Sequence, residues 1–297
     1  MNKVFITGAN GFVGKTLSRF LVQNDISYTA GERSLYGAME SQKRWSDILA
    51  GHDVVVHLAA RVHVMDETEK DPLVAFRKVN VEATLNLAVG ARAAGVKRFI
   101  FVSSIKVNGE ETQDVPFSAS DMPSPSDPYG VSKMEAEIAL LNLHEPGKFE
   151  IVIIRPPLIY GPGVKANFEK LFWLVKKDFP LPFAAVKNKR SLVSIYNLCD
   201  LIITCINHPN AGGEIFLVSD DHDYSLKELL QVMGKTLNKS PRLIYVPVGL
   251  MKFGAVLLGK RTYVQRLFGN LQVDISKTKN RLNWKPRYTF EDTFKNA

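Results

Sequence analysis

The 297-residue chain has only two cysteines, Cys199 and Cys205, both inside an apolar helical pattern. That rules out a disulfide framework and a cysteine-based zinc site. No apolar run approaches the ~20 residues that a membrane-spanning helix needs. The first residues, Met1-Asn2-Lys3-Val4-Phe5-Ile6, enter a strand pattern at once, with no room for a signal peptide. Internal repeats and low-complexity linkers are also missing. The net charge is +8, yet the basic residues are scattered, and no recognition helix or basic–aromatic repeat accompanies them. No nucleic-acid partner is expected. With 45% hydrophobic and 23% charged residues, the chain reads as a soluble cytoplasmic protein with a large core and two lobes.

A β-branched run at Lys3–Thr7 is followed by Gly8-Ala9-Asn10-Gly11-Phe12-Val13-Gly14, an amphipathic helix pattern over 16–22, and a second strand near 27–30. Strand, glycine turn, helix and strand form a βαβ unit. Glycines at such a turn let the backbone approach a pyrophosphate, which the free N–H groups of the helix start then bind. Glu32, near the end of the second strand, is placed to bond an adenosine 2′-hydroxyl; Arg33 beside it leaves a 2′-phosphate open. NAD is therefore the expected cofactor, with NADP possible. Further continuous apolar runs end in His57-Leu58-Ala59-Ala60, in Ser103-Ser104 and in Arg155-Pro156, as buried parallel strands do. His57, inside a strand end, is expected to be structural.

Asp127-Pro128-Tyr129-Gly130-Val131-Ser132-Lys133 places a phenol and an ammonium four residues apart on one helical face. A neighbouring ammonium favours the phenolate, so Tyr129 is expected to ionise below its usual pKa of about 10 and to exchange protons with an alcohol or ketone. Tyr129 follows Ser104 by twenty-five residues.

The G-x-x-G-x-x-G turn, the S-S-I-K-V-N-G segment, Y-x-x-x-K, the Arg155-Pro156 segment through Gly163 and the closing D-x-S-K…L-x-W-x-P together resemble the extended short-chain dehydrogenase/reductases, the NAD-dependent epimerase/dehydratase family. The resemblance covers nearly the whole chain. It implies an α/β fold: a Rossmann-type doubly wound sheet over residues 1–160, with 190–212 packing back on it. A smaller substrate lobe would comprise 161–189 and 213–297.

It further implies that Ser104, Tyr129 and Lys133 are catalytic, with Asn80 supporting the lysine. The cofactor would lie against Gly8, Asn10, Gly11, Phe12, Val13, Gly14, Glu32, Arg33, Leu58, Ala59, Ala60, Lys133 and Pro156. A UDP-sugar would be bound through Ser103, Ser104, Lys106, Asn167 and Arg190, and no metal is implied. The 4,6-dehydratases of this family carry Asp-Glu directly after the catalytic Ser/Thr; here Ile105 and Lys106 stand there, which argues against dehydration.

The implied activity is redox chemistry at C4 of a UDP-hexose or UDP-N-acetylhexosamine. Epimerisation through a 4-keto intermediate leads; reduction of a UDP-4-keto-6-deoxy-N-acetylhexosamine is the alternative, and a non-catalytic dinucleotide-binding sensor or scaffold is the other class. The family's two-helix packing suggests a homodimer. In the helix over 168–177, Phe172 and Trp173 are expected in the core. The apolar-basic stretch 248–268 can be read as binding a membrane surface, but is expected to be a substrate-lobe helix with basic exposed faces.

Overall fold

The computed structural model describes residues 2–32, 35, 37–39, 44–62, 71–164, 167–257 and 267–295. In chain order the first half comprises β1 (Val4–Thr7), α1 (Phe12–Gln23), β2 (Tyr28–Gly31), α2 (Trp45–Ile48), β3 (Val54–His57), α3 (Pro72–Arg77), α4 (Ala83–Ala93), β4 (Arg98–Val102), α5 (Pro128–Leu141) and β5 (Glu150–Arg155). The second half comprises β6 (Leu158–Tyr160), α6 (Asn167–Lys176), β7 (Arg190–Ser194), α7 (Ile195–Asn207), β8 (Ile215–Leu217), β9 (Asp223–Tyr224), α8 (Leu226–Thr236), α9 (Val248–Leu257), α10 (Ser276–Leu282) and α11 (Phe290–Phe294).

Six strands form one parallel sheet in the order β2-β1-β3-β4-β5-β8. This is the doubly wound arrangement expected from the sequence. Alternation along each strand explains the unbroken apolar runs. Val4, Ile6, Val54, Val56, Ile100, Val152 and Ile154 point to one face, where they meet Leu17 and Leu21 of α1 and the apolar side of α7. Phe5, Val55, Phe99, Phe101, Ile151 and Ile153 point to the other, against α2, α4 and α5. A strand covered on both faces has no polar side to show. Each such buried side chain contributes about 1.5–3 kcal/mol.

The chain leaves β1 in opposite directions for β2 and β3, so the sheet has its switch point beside Thr7, where ligands of open α/β sheets bind. α7 is drawn onto this sheet by Arg98, whose Nη1 donates to the carbonyls of Cys205, Ile206 and His208 at the helix end.

β6, β7 and β9 form a second, small sheet. Its core is aromatic: Tyr160 stacks on Phe290 at 4.7 Å and on Phe168 at 5.7 Å. Phe172 packs against this core, but Trp173 is 51% exposed, against expectation. The helix over 167–176 turns one apolar stripe inward, and Trp173 lies off it. The C-terminal segment closes over α7 through Trp284, whose Nε1 donates to Asp200 Oδ2 at 2.7 Å.

One buried ion pair joins α5 to the sheet. Arg155, the last residue of β5, donates from Nε and Nη2 to the Glu137 carboxylate at 3.0 and 2.5 Å, and from Nη1 to Asn108 Oδ1 at 2.9 Å. Both charged side chains are almost completely buried. Removing one partner leaves the other charge unpaired in the interior. Glu137→Ala should therefore lower the unfolding free energy by about 3–5 kcal/mol, read from the urea midpoint at unchanged slope.

Candidate active site

The glycine turn is shaped by close approach. Gly8 has φ +72°, and a Cβ there would lie 2.9 Å from the Ala59 nitrogen. A Cβ on Gly14 would lie 2.7 Å from Ala9 backbone atoms and still closer to the Gly8 carbonyl. Gly11 caps α1 without a side-chain bond, and the first turn of α1 carries no acid. The helix start thus offers bare N–H groups beside a turn too tight for side chains at 8 and 14, which suits a pyrophosphate. Phe12 and Val13 pack their side chains on the core behind it.

Asn10 Nδ2 donates to Glu32 Oε1 at 3.2 Å, linking the turn to the acid that follows β2. Arg33 lies outside the described residues. Leu58, Ala59 and Ala60 follow β3 and are held by Thr7: the Leu58 nitrogen donates to the Thr7 carbonyl at 3.2 Å and the Ala59 nitrogen to Thr7 Oγ1 at 3.3 Å. Pro156 follows β5 and accepts from the Ile105 nitrogen at 3.0 Å. These residues form the floor on which a dinucleotide would lie.

Ser104 follows β4 in extended backbone and caps the short turn Ile105–Val107, its Oγ accepting from the Lys106 nitrogen at 3.3 Å. Pro128 and the capping carboxylate of Asp127, which accepts from the Gly130 nitrogen at 2.6 Å, start α5. Together they place Tyr129 in the first turn, where the Ser104 hydroxyl acts on its phenol. Two half-buried hydroxyl residues from distant elements thus come near each other. The neighbouring Ser103 Oγ is buried and has no hydrogen-bond partner among the described residues.

The electrostatics differ from the sequence expectation. Burial pushes Tyr129 up to about 12; the bond with Ser104 opposes this, and the Asp127 charge adds to it. Lys133 does not lower the phenol. It is itself buried, donates to the Val102 carbonyl at 3.0 Å and sits 4.3 Å over the Phe101 ring. Burial pushes it down to about 7, with Glu137 opposing. Desolvation outweighs the pairwise attraction that the Y-x-x-x-K spacing implied.

Asn80 lies in a π-helical turn, Lys78–Glu82, inserted between α3 and α4. Its Oδ1 accepts from the Arg61 nitrogen at 2.8 Å, and its Nδ2 donates to the Arg61 carbonyl and to Ser132 Oγ, both at 3.0 Å. Ser132 Oγ donates in turn to the Tyr129 carbonyl at 2.8 Å. Asn80 therefore holds the tyrosine's turn through Ser132 and makes no direct bond to Lys133. Ser132 escaped the sequence reading, although a serine on the sheet side of an apolar helix signals a polar partner.

Lys106 is committed within the chain, its Nζ contacting Asp127 and lying 2.8 Å from Glu110 Oε1. Asn167 opens α6; its side chain lies outside the described residues. Arg190, at the start of β7, donates to the Gly269 carbonyl at 3.2 Å. Among the described residues no bond joins Arg190 to the Ser104–Tyr129 pair. His57 is a buried strut: its Nδ1 is 2.6 Å from Thr7 Oγ1 and its Nε2 2.8 Å from Thr84 Oγ1. No group of residues able to hold a metal occurs among the described residues.

A glycine turn at the switch point of a parallel sheet, with a half-buried serine and tyrosine and a lysine one turn on, has the layout of a dinucleotide-dependent enzyme. The profile of the NAD dependent epimerase/dehydratase family matches residues 4–219. The chain belongs to that family and is one of its enzymes, with NAD as cofactor. A UDP-glucose 4-epimerase of Vibrio cholerae is 47% identical, covering 98% of this chain and 93% of that protein. An N-acetyl-alpha-D-glucosaminyl-diphospho-ditrans,octacis-undecaprenol 4-epimerase of Escherichia coli O157:H7 is 28% identical over 85% of this chain and 78% of its own length. Among solved structures, MoeE5 in complex with UDP-glucuronic acid and NAD superposes with a TM-score of 0.78 at 20% identity, covering all of this chain and 97% of its own.

Two titrations check these electrostatics. Lys106→Met leaves Asp127 uncompensated, so Tyr129 should ionise at still higher pH; Asp127→Asn keeps the helix cap and should lower it. Ultraviolet difference titration against Tyr129→Phe reads both shifts. Burial and the Lys133 charge push His57 down to about 3. Between pH 6.5 and about 3 the unfolded chain thus binds a proton that the folded chain does not. Stability should fall with falling pH across that window, by about 1.4 kcal/mol per unit, and the His57→Gln variant should lack this share of the slope in urea unfolding.

Proposed function

We propose that the chain is a nucleotide-sugar 4-epimerase, acting on a UDP-hexose or UDP-N-acetylhexosamine through a 4-keto sugar. The observation that carries this reading is the half-buried Ser104 beside Tyr129, with no carboxylate at 105 or 106 to expel water from the sugar. The Vibrio cholerae relative's name supports the same chemistry. Bound NAD supplies the hydride acceptor and a positive charge that favours the phenolate. Tyr129 takes the proton of the 4-hydroxyl and later returns it, while Ser104 holds the sugar oxygen. Lys133 and Asn80 serve this pair, the first as the buried amine one turn along α5, the second through Ser132.

Substrate would be held by Ser103, Ser104, Lys106, Asn167 and Arg190. Ser103 is the clearest of these. A buried hydroxyl without a partner costs about 1–3 kcal/mol, which a bond to the sugar would offset. Arg190 has the planar, permanently charged fork suited to a diphosphate. Lys106, already paired with two carboxylates, would act mainly by fixing Asp127. The reading includes a cytoplasmic homodimer through α3 and α5, where Val74 and Ile138 are more than half exposed.

One observation favours the 4-ketoreductase reading: a phenol held near 12 is a proton donor at neutral pH. Incubation with UDP-glucose, UDP-N-acetylglucosamine or a UDP-4-keto-6-deoxy sugar separates the two. We expect the C4 isomer to accumulate with no net change in reduced cofactor. Stoichiometric NADH or NADPH consumption on the keto sugar alone would establish the reductase. Tyr129→Phe should lower turnover by about 10²–10⁴-fold and retain cofactor. Ser103→Ala should raise KM for the sugar while the chain becomes no less stable to urea.

A further inference from the structure

Among the described residues, the substrate lobe carries an apolar face that its own fold leaves uncovered. In α9, Val248 and Met251 pack inward on the lobe core. Leu250, Phe253 and Leu257, at helical spacing on another side, are 62%, 63% and 71% exposed. A helix that is apolar on both sides is normally covered on both. The face does not stop at the helix. Tyr245 and Ile244, just before it, are 73% and 49% exposed. The 242–244 segment pairs with 181–184: the Leu181 nitrogen donates to the Arg242 carbonyl and the Ile244 nitrogen to the Leu181 carbonyl, both at 2.8 Å. This brings up exposed Phe179, whose ring lies 5.8 Å from that of exposed Trp173. Single exposed apolar residues are ordinary, but this many aromatic and aliphatic side chains exposed on adjoining segments mark an interaction surface.

The charge around this face has one sign along most of its length. Between Glu228 and Asp274 the sequence contains no Asp or Glu. Lys239, Arg242 and Lys252 are exposed in that stretch, and exposed Lys176 and Lys177 follow Trp173; Glu169 and Asp178 are the acids nearby on α6 and its end. A second copy of such a face would bring like charges together. An anionic bilayer answers both features, since lipid phosphates meet the basic groups while the rings and aliphatic chains enter the headgroup boundary. No helix among the described residues is long and apolar enough to cross a membrane.

We propose that the face built from α9, Ile244, Tyr245, Phe179 and Trp173 docks the protein on the surface of an anionic lipid bilayer. This stands independently of the catalytic reading.

The test is sedimentation of the purified protein with vesicles of phosphatidylcholine alone or mixed with phosphatidylglycerol. Binding should occur to the mixed vesicles only. It should fall steeply from 0.1 M to 1 M salt, where the screening length shrinks from about 10 Å to 3 Å. Leu250→Glu with Phe253→Glu should abolish binding. Arg242→Glu with Lys252→Glu should weaken it at least about tenfold. Thermal unfolding shows whether the variants are folded, and single replacements by Ser provide a milder series if the Glu pair is not. Wild-type protein that stays in the supernatant with the mixed vesicles at low salt overturns the proposal. Folded variants that bind as well as wild type overturn it too. A wild-type dimer that Phe253→Glu splits, without vesicle binding, assigns the face to a second copy instead.

Discussion

Placing Arg155 inside the molecule is the constraint on which the site depends. A buried guanidinium is tolerated only where carboxylate and amide oxygens occupy its donors. Glu137 comes from two turns beyond Tyr129 on α5, and Asn108 from the end of the turn that Ser104 caps. Asn108 passes the constraint outward by donating to the Ser118 carbonyl at 2.8 Å. The strand, the helix and the turn that carry the candidate chemistry thus meet at one charged group. Any relative slip of the three would leave part of it unsatisfied. The approach of Ser104 and Tyr129 follows from this geometry.

The interior of the site is kept nearly free of net charge. Burial pushes the Tyr129 phenol up and pushes Lys133 and His57 down, so each is driven towards its neutral form. Charge is concentrated instead at the mouth of α5, where Asp127 meets Lys106 and Glu110. Because low-dielectric surroundings strengthen every remaining interaction, one charge placed among these groups has unusual leverage over the phenol.

Features that depend on the backbone were readable from the sequence. The glycines at 8 and 14 stand where a Cβ has no room, and the apolar runs stand where strands are covered on both sides. Such requirements leave few residue choices and therefore show as patterns. Side-chain pairings were less visible. The spacing of Tyr129 and Lys133 could be read, but not that Lys133 would turn to the Val102 carbonyl and the Phe101 ring. Lys106 looked available to a ligand because nothing in the sequence announces that Glu110 and Asp127 both converge on it. Trp173 was expected inside because a helix's apolar stripe can be drawn on either side of its edge. Asn80 was found, but its partners were not, since a π turn has no sequence signature of its own.

That π turn alters the phase of the helical segment that contains it. In an unbroken α-helix each residue advances about 100°, so one widened turn rotates everything beyond it relative to everything before. α3 can then direct Arg77 sideways to Glu135 of α5, while α4 sets Leu87, Ala88 and Ala91 squarely on the sheet. A single straight helix would have one apolar azimuth and would have to compromise between these neighbours. The widened turn works as a gear change in the chain: it decouples two packing surfaces and, at the step between them, turns Asn80 to Ser132 of α5.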